Sequence, residues 1–121
     1  MLKDYVAIYV PSKEKGGKRI SKARREKMIK RIATALCNIN GGVTVYPAQG
    51  GWIDASNTLV IEEVTVIKSF GGEIGINNNI DTFYQLANNL AFEFNQECVS
   101  LEINGAIDFV EPMLIPAIME N

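Results

Sequence analysis

The run TLVIEEVTVIKSF, from Thr58 to Phe70, is rich in β-formers and long for a single strand. Its alternation slips part-way: Leu59 and Ile61 share one parity, Val64 and Val66 the other. A one-residue slip turns every later side chain to the opposite face, so a β-bulge near Glu62-Glu63 is expected to restore one buried face. The pattern predicts strands over Val43–Ala48 and Trp52–Phe70, broken by turns at Gln49-Gly50-Gly51 and Ala55-Ser56-Asn57.

Upstream, Tyr5–Val10 (YVAIYV) reads as a buried strand closed by Pro11, and Ser12–Ile20 as a mobile loop holding Gly16-Gly17. Ser21 is a suitable N-cap for a helix from Lys22 to about Ile39. Met28, Ile29, Ile32, Ala33, Leu36 and Cys37 form its inward stripe, and Asn40-Gly41-Gly42 supplies the stop. Downstream, Gly71–Asn79 reads as a loop. A second helix follows from about Ile80 to Glu97, capped by Asn79, with Phe83, Leu86, Ala87, Leu90 and Phe94 inward. Val99–Ile107 alternates like a last strand, and two prolines keep the apolar tail EPMLIPAIMEN from continuing it. The order β-α-β-β-α-β predicts an α+β, ferredoxin-like domain over 1–121: an antiparallel sheet backed by two helices, with an apolar C-terminal arm over about 110–121.

With 121 residues, 47% hydrophobic and 21% charged, the composition is globular. No run approaches ~18 apolar residues, so no membrane partner is expected. The start MLKDYVAIYV carries Asp4 and lacks a small-residue cleavage site, so it does not read as a signal peptide. Histidine is absent, which excludes Ser-His-Asp, Cys-His and His-ligated zinc chemistry. Cys37 and Cys98 make neither a disulfide framework nor a metal site. The net charge of −2 conceals an asymmetry. Residues 1–31 hold eleven of the twelve basic residues against three acids, a net of +8, and residues 32–121 hold Lys68 against eleven acids, a net of −10. Such a split favours an anionic partner, or an acidic patch on another copy of the chain.

The strongest functional signal is Lys13–Arg31, where ten of nineteen residues are Lys or Arg. Arg25 shares the stripe of Met28, Ile32 and Leu36, so its stem is expected at the sheet edge, with Arg24 and Arg31 beside it and Arg19 in the entering loop. Guanidinium forks grip phosphate in a bidentate manner. Arginines that snorkel over apolar surface are the plainer reading of the same cluster. On the second helix, Phe92 shares an outer face with Asn88 and Asn89. Either a stacked base read by those amides covers it, or another subunit does. Glu62 and Glu63 point to opposite faces of a strand and make no acid–base pair. The glycines at Gly71-Gly72 and Gly75 match no phosphate-loop pattern.

The segment GGVTVYPAQGGWIDASNTLVIEEVTVI resembles the signature of a phage-encoded anti-defence family that counters the bacterial Thoeris system. The pattern GGxTxxxxxGxW followed by LVxExVT falls at Gly41, Gly42, Thr44, Gly50 or Gly51, Trp52, Leu59, Val60, Glu62 or Glu63, Val64 and Thr65. The resemblance implies a non-catalytic sponge in the bacterial host cytoplasm. Such a sponge binds a cyclic ADP-ribose-type signalling nucleotide intact, so that an NAD-degrading effector stays inactive. It further implies a homo-oligomer (dimer or hexamer) with nucleotide pockets at subunit contacts, and in some members binding of cyclic oligonucleotides. The ligand residues expected from the chain itself are Arg19, Arg24, Arg25, Arg31, Asn88, Asn89 and Phe92. No catalytic residue, metal or cofactor is expected, and no long nucleic acid as partner. The alternatives are an RNA- or DNA-binding module, for which the glycine-aromatic strand signature is missing, an enzyme using Glu62 or Glu63 or its own substrate, and a structural assembly protein.

Overall fold

A computed structural model describes residues 1–114. Five strands form one antiparallel sheet in the order β2-β3-β1-β4-β5. They are β1 (Asp4–Pro11), β2 (Thr44–Ile53), β3 (Leu59–Gly71), β4 (Val99–Ile103) and β5 (Ala106–Val110). Helices α1 (Lys22–Asn40), α2 (Glu73–Asn78) and α3 (Ile80–Glu93) complete the described residues. The first four strands, in the order β2-β3-β1-β4, have the ferredoxin-like arrangement expected, with β5 added beside β4.

The helices pack on one face of the sheet because both carry an apolar stripe at helical period. Met28, Ile32 and Leu36 of α1 and Phe83, Leu86 and Leu90 of α3 are at most 2% exposed, against Val6, Ile8, Val10, Ile67 and Leu101 of the sheet. Burying each such side chain stabilises the fold by about 1.5–3 kcal/mol. Ser21 caps α1 as expected, its Oγ accepting from the Arg24 N–H at 3.2 Å. Gly41 ends the helix with φ 100°, its N–H donating to the Cys37 carbonyl at 2.7 Å.

The β2–β3 hairpin departs from expectation. No turn forms at Gln49-Gly50-Gly51 and no bulge at Glu62-Glu63: the register runs unbroken from Thr44↔Lys68 to Ile53↔Leu59. The turn expected at Ala55-Ser56-Asn57 does form, and Asp54 Oδ1 accepts from the Ser56 and Thr58 N–H groups across it. The parity slip has another cause. The outer half of the hairpin extends past the helices, leaving Leu59 and Ile61 60% and 54% exposed, while at its root Val66 and Ile67 are buried on opposite faces.

Three further expectations are corrected. Gly71–Asn79 contains helix α2, and the Asn79 side chain donates to the Gly75 carbonyl instead of capping α3, which stops at Glu93. The last strand is a hairpin, folded at Asn104-Gly105, whose φ values of 50° and 86° suit a type I′ turn. The loop Ser12–Ile20 is pinned. Its Lys13 and Arg19 bridge, Lys15 N–H donates to the Asn95 carbonyl, and the Gln96 side chain donates to the Lys13 carbonyl. Of the expected arm, Glu111 and Met113 lie along α3 and Asn88, and Ile115–Asn121 lie outside the described residues. Among the described residues, no helix is long and apolar enough to cross a membrane.

Candidate functional site

The first turns of α1 meet the helix-side face of the β2–β3 hairpin across a cavity of about 310 Å³, lined by Arg25, Pro47, Ala48, Gln49, Glu63, Val64 and Thr65. The register makes it: Pro47 pairs with Thr65 and Gln49 with Glu63, so both pairs project toward α1. Proline is tolerated because β2 is an edge strand. The Ser21 cap sets the other wall, since the Arg25 N–H donates to the Ser21 carbonyl at 3.0 Å.

Arg25 Nε is buried with no hydrogen-bond partner. A buried unsatisfied donor costs about 1–3 kcal/mol. Glu63, in the same cavity, is instead 3.8 Å from Arg19, both side chains being about two-thirds exposed, so that pair contributes little. A guanidinium and a carboxylate thus border one cavity without pairing, beside Pro47 and two neutral hydrogen-bonding groups (Gln49, Thr65), while Ala48 and Val64, of the opposite strand parity, meet it through their backbone. Such a space accepts a small ligand that is part apolar and carries charge. Glu62 faces away from this cavity. Its Oε1 accepts from the Ser12 and Lys13 N–H groups at 3.2 and 3.0 Å, fixing the start of the basic loop. As expected, Glu62 and Glu63 project to opposite faces of the strand.

The other expected residues are dispersed. Arg24 donates to the Glu93 carbonyl at 2.9 Å, lies 3.7 Å from Glu14 and stacks 5.2 Å from the Phe94 ring centroid. Arg31 meets both Glu93 carboxylate oxygens at 3.3 Å. These two arginines border a second, smaller groove of about 170 Å³ between α1 and the end of α3. Asn88 donates to the Glu111 carbonyl at 2.8 Å and so holds the segment after β5. Asn89, read as outward-facing, is fully buried, because α3 packs on the sheet through that side as well. Phe92 is 51% exposed, as its place among amides implied. The structure therefore places Arg25 in one cavity, with Arg19 reaching it only through Glu63, and Arg24 and Arg31 at another. Asn88, Asn89 and Phe92 line neither.

On the sheet face away from the helices lies a cluster that the sequence reading passed over. Glu102 accepts the phenol O–H groups of Tyr5 and, at 2.6 Å, Tyr9. Lys68 Nζ lies 4.2 Å from the Tyr5 ring centroid and 5.0 Å from that of Phe70, a cation–π arrangement. The hydrogen bond from Tyr5, then that from Tyr9, holds the Glu102 carboxyl below its usual range, and Glu102 in turn raises both phenols. Val66, flanked across the strands by Tyr9 and Tyr46, is buried, while Phe70, Ile107 and Phe109 are exposed. The signal was present: Lys68 is the sole basic residue after Arg31, and Tyr5 and Tyr9 share a strand parity. Among the described residues, no group of three or more His, Cys, Asp or Glu side chains could hold a metal ion.

Two solved structures share this fold over nearly the whole chain. One is a phage SAM lyase in complex with S-methyl-5'-thioadenosine, with a TM-score of 0.60 and 17% identity over 89% of this chain and 88% of that one. The other is a phage SAM lyase in the apo state, with a TM-score of 0.58 and 16% identity over 94% and 93%. At that identity the likeness is one of fold. No family model matches the chain, and no curated protein does. The expectation of a non-catalytic chain is corrected by these neighbours, which are enzymes. It had rested on the family resemblance, together with the missing histidine and the missing acid–base pair.

Proposed function

We propose that this chain is a phage enzyme that cleaves an adenosine sulfonium of the S-adenosylmethionine type in the cavity between α1 and the β2–β3 hairpin. The observation that carries the proposal is the correspondence of the whole chain, not a fragment, with a lyase solved holding an adenosine thioether. The cavity supports it: at about 310 Å³ it falls within the range of small-molecule sites and offers both apolar wall and charge.

The chemistry asks little of the protein. A carboxylate oxygen of the substrate attacks its own γ-carbon, the carbon–sulfur bond breaks, and the electron pair stays on sulfur. The products are a neutral thioether, S-methyl-5'-thioadenosine, and a five-membered lactone. No proton is transferred, so no histidine or paired carboxylate is required. Opposite charges are consumed in the transition state, and taking the substrate out of water between Pro47 and the half-buried Arg25 favours that step over solution. The protein's part is to fold the substrate so that oxygen and carbon meet in line.

The resemblance at GGxTxxxxxGxW favours a second ligand, a cyclic ADP-ribose-type nucleotide, which keeps the adenosine and carries phosphates that suit the arginines of α1. Either ligand fits an anti-defence role in which a phage removes an adenine-nucleotide signal or methyl donor from its host. The uncovered sheet face, with Phe70, Ile107 and Phe109, and the outward Phe92 are surfaces that a second copy of the chain would cover. The test is to incubate purified protein with S-adenosylmethionine and follow S-methyl-5'-thioadenosine by chromatography. Product that scales with protein and disappears on heat denaturation is expected. Intact substrate after prolonged incubation overturns the proposal.

A further inference from the structure

We infer that Arg25 holds the anionic end of the ligand, an inference that rests on the lyase reading and names which residue of the cavity sorts its ligands. Four arginines lie in and around α1, and three lie within 4 Å of a carboxylate: Arg19 of Glu63, Arg24 of Glu14 and Arg31 of Glu93. Arg25 has no such partner among the described residues. Its Nε is buried and unbonded, it lines the larger cavity, and the one carboxylate in that wall lies with Arg19. A guanidinium uses Nε–H together with a terminal N–H as a two-pronged donor whose spacing matches the two oxygens of a carboxylate or phosphate. Arg25 is half-buried where Arg19 is exposed, so water competes less for its guanidinium and an oxyanion gains more there. Gln49 and Thr65 stand ready to bond the rest of the ligand's polar edge.

The oxyanion has two sources: the amino-acid carboxylate of an adenosine sulfonium, or the phosphates of a cyclic ADP-ribose-type nucleotide. Three probes separate them. S-adenosylhomocysteine keeps the carboxylate and is not cleaved, S-methyl-5'-thioadenosine lacks it, and cyclic ADP-ribose carries phosphates instead. Calorimetric titration of wild type, Arg25→Ala and Arg25→Lys with each probe tests the inference, and circular dichroism checks that each variant is folded. Arg25→Ala is expected to weaken S-adenosylhomocysteine about 10- to 100-fold, the range for a charge-assisted bond, and to leave S-methyl-5'-thioadenosine within about twofold. Arg25→Lys restores the charge without the fork and is expected to recover only part of the loss. A loss confined to cyclic ADP-ribose also supports the role of Arg25 and assigns the oxyanion to phosphate. Equal loss for all three probes, or no loss for either anion, overturns it while the lyase reading stands. Wild-type protein that binds none of the three overturns the lyase reading, and the inference with it.

Discussion

Replacing Glu102 by Gln removes a charge from the open sheet face while keeping the side chain's shape. In the wild type the carboxylate accepts the phenol O–H of both Tyr5 and Tyr9 and faces the Lys68 ammonium. The amide offers one acceptor oxygen to one phenol and can only donate to the oxygen of the other, so both bonds become neutral and lose the strength that the carboxylate's charge lends them. A hydrogen bond to a charged group contributes about 1.5–3 kcal/mol, and partial exposure of the cluster reduces this to about 1–2 kcal/mol at pH 7. The melting temperature is then expected to fall by about 4–8 °C. The pH dependence distinguishes this cause from mere loss of packing. The Glu102 carboxyl is depressed in the folded state, so its contribution is full above the pKa it has when unfolded and disappears as pH falls through its folded value. Thermal unfolding of both proteins by circular dichroism should show a gap at pH 7 that closes below about pH 4. At the alkaline end, Tyr5 and Tyr9 hold their protons more tightly folded than unfolded, so wild-type stability falls above about pH 10. A gap that stays constant from pH 3 to 8, or no gap at pH 7, would refute the reasoning.

Three more perturbations test the frame that positions the cavity. A methyl group at Gly71 would drive into the Asn40 side chain, which donates to Ser69 Oγ, so Gly71→Ala should lower stability by about 1–3 kcal/mol in urea unfolding. Adding Asn40→Ala should recover part of that loss. Ser21→Ala removes the cap that sets the start of α1 and should cost about 1 kcal/mol by the same measure. Leu36→Ala opens the core under the sheet and should cost about 2–5 kcal/mol, with the midpoint moving and the slope unchanged.

What could be read from the sequence was local. Ser21 and Gly41 mark the ends of α1 because capping depends on one side chain and one backbone angle, and the inward stripes of α1 and α3 follow from period alone. The hairpin misled because Gly50-Gly51 resembles a turn, yet cross-strand pairing with Glu62 and Ile61 holds it straight. The parity slip in β3 records which part of the strand the helices cover, a tertiary fact with no local sign. Asn104-Gly105 is the opposite case, a legible hairpin turn between strands of only five residues that read together as one strand. The candidate site was half legible: Arg25 came from the basic run, while Gln49, Glu63 and Thr65 join it only through the register of β2 with β3. Asn89 shows the limit of period counting, since an amide on the flank of a helical stripe can be buried and bonded.

The most direct measurement is a crystal structure of the protein grown with S-methyl-5'-thioadenosine, the ligand of one fold neighbour. The account predicts the adenosine between α1 and the β2–β3 hairpin, against Pro47, Gln49 and Thr65, with its thioether side turned toward Arg25. Adenosine stacked instead on Tyr5, Tyr9 and Phe70 of the open sheet face would contradict it.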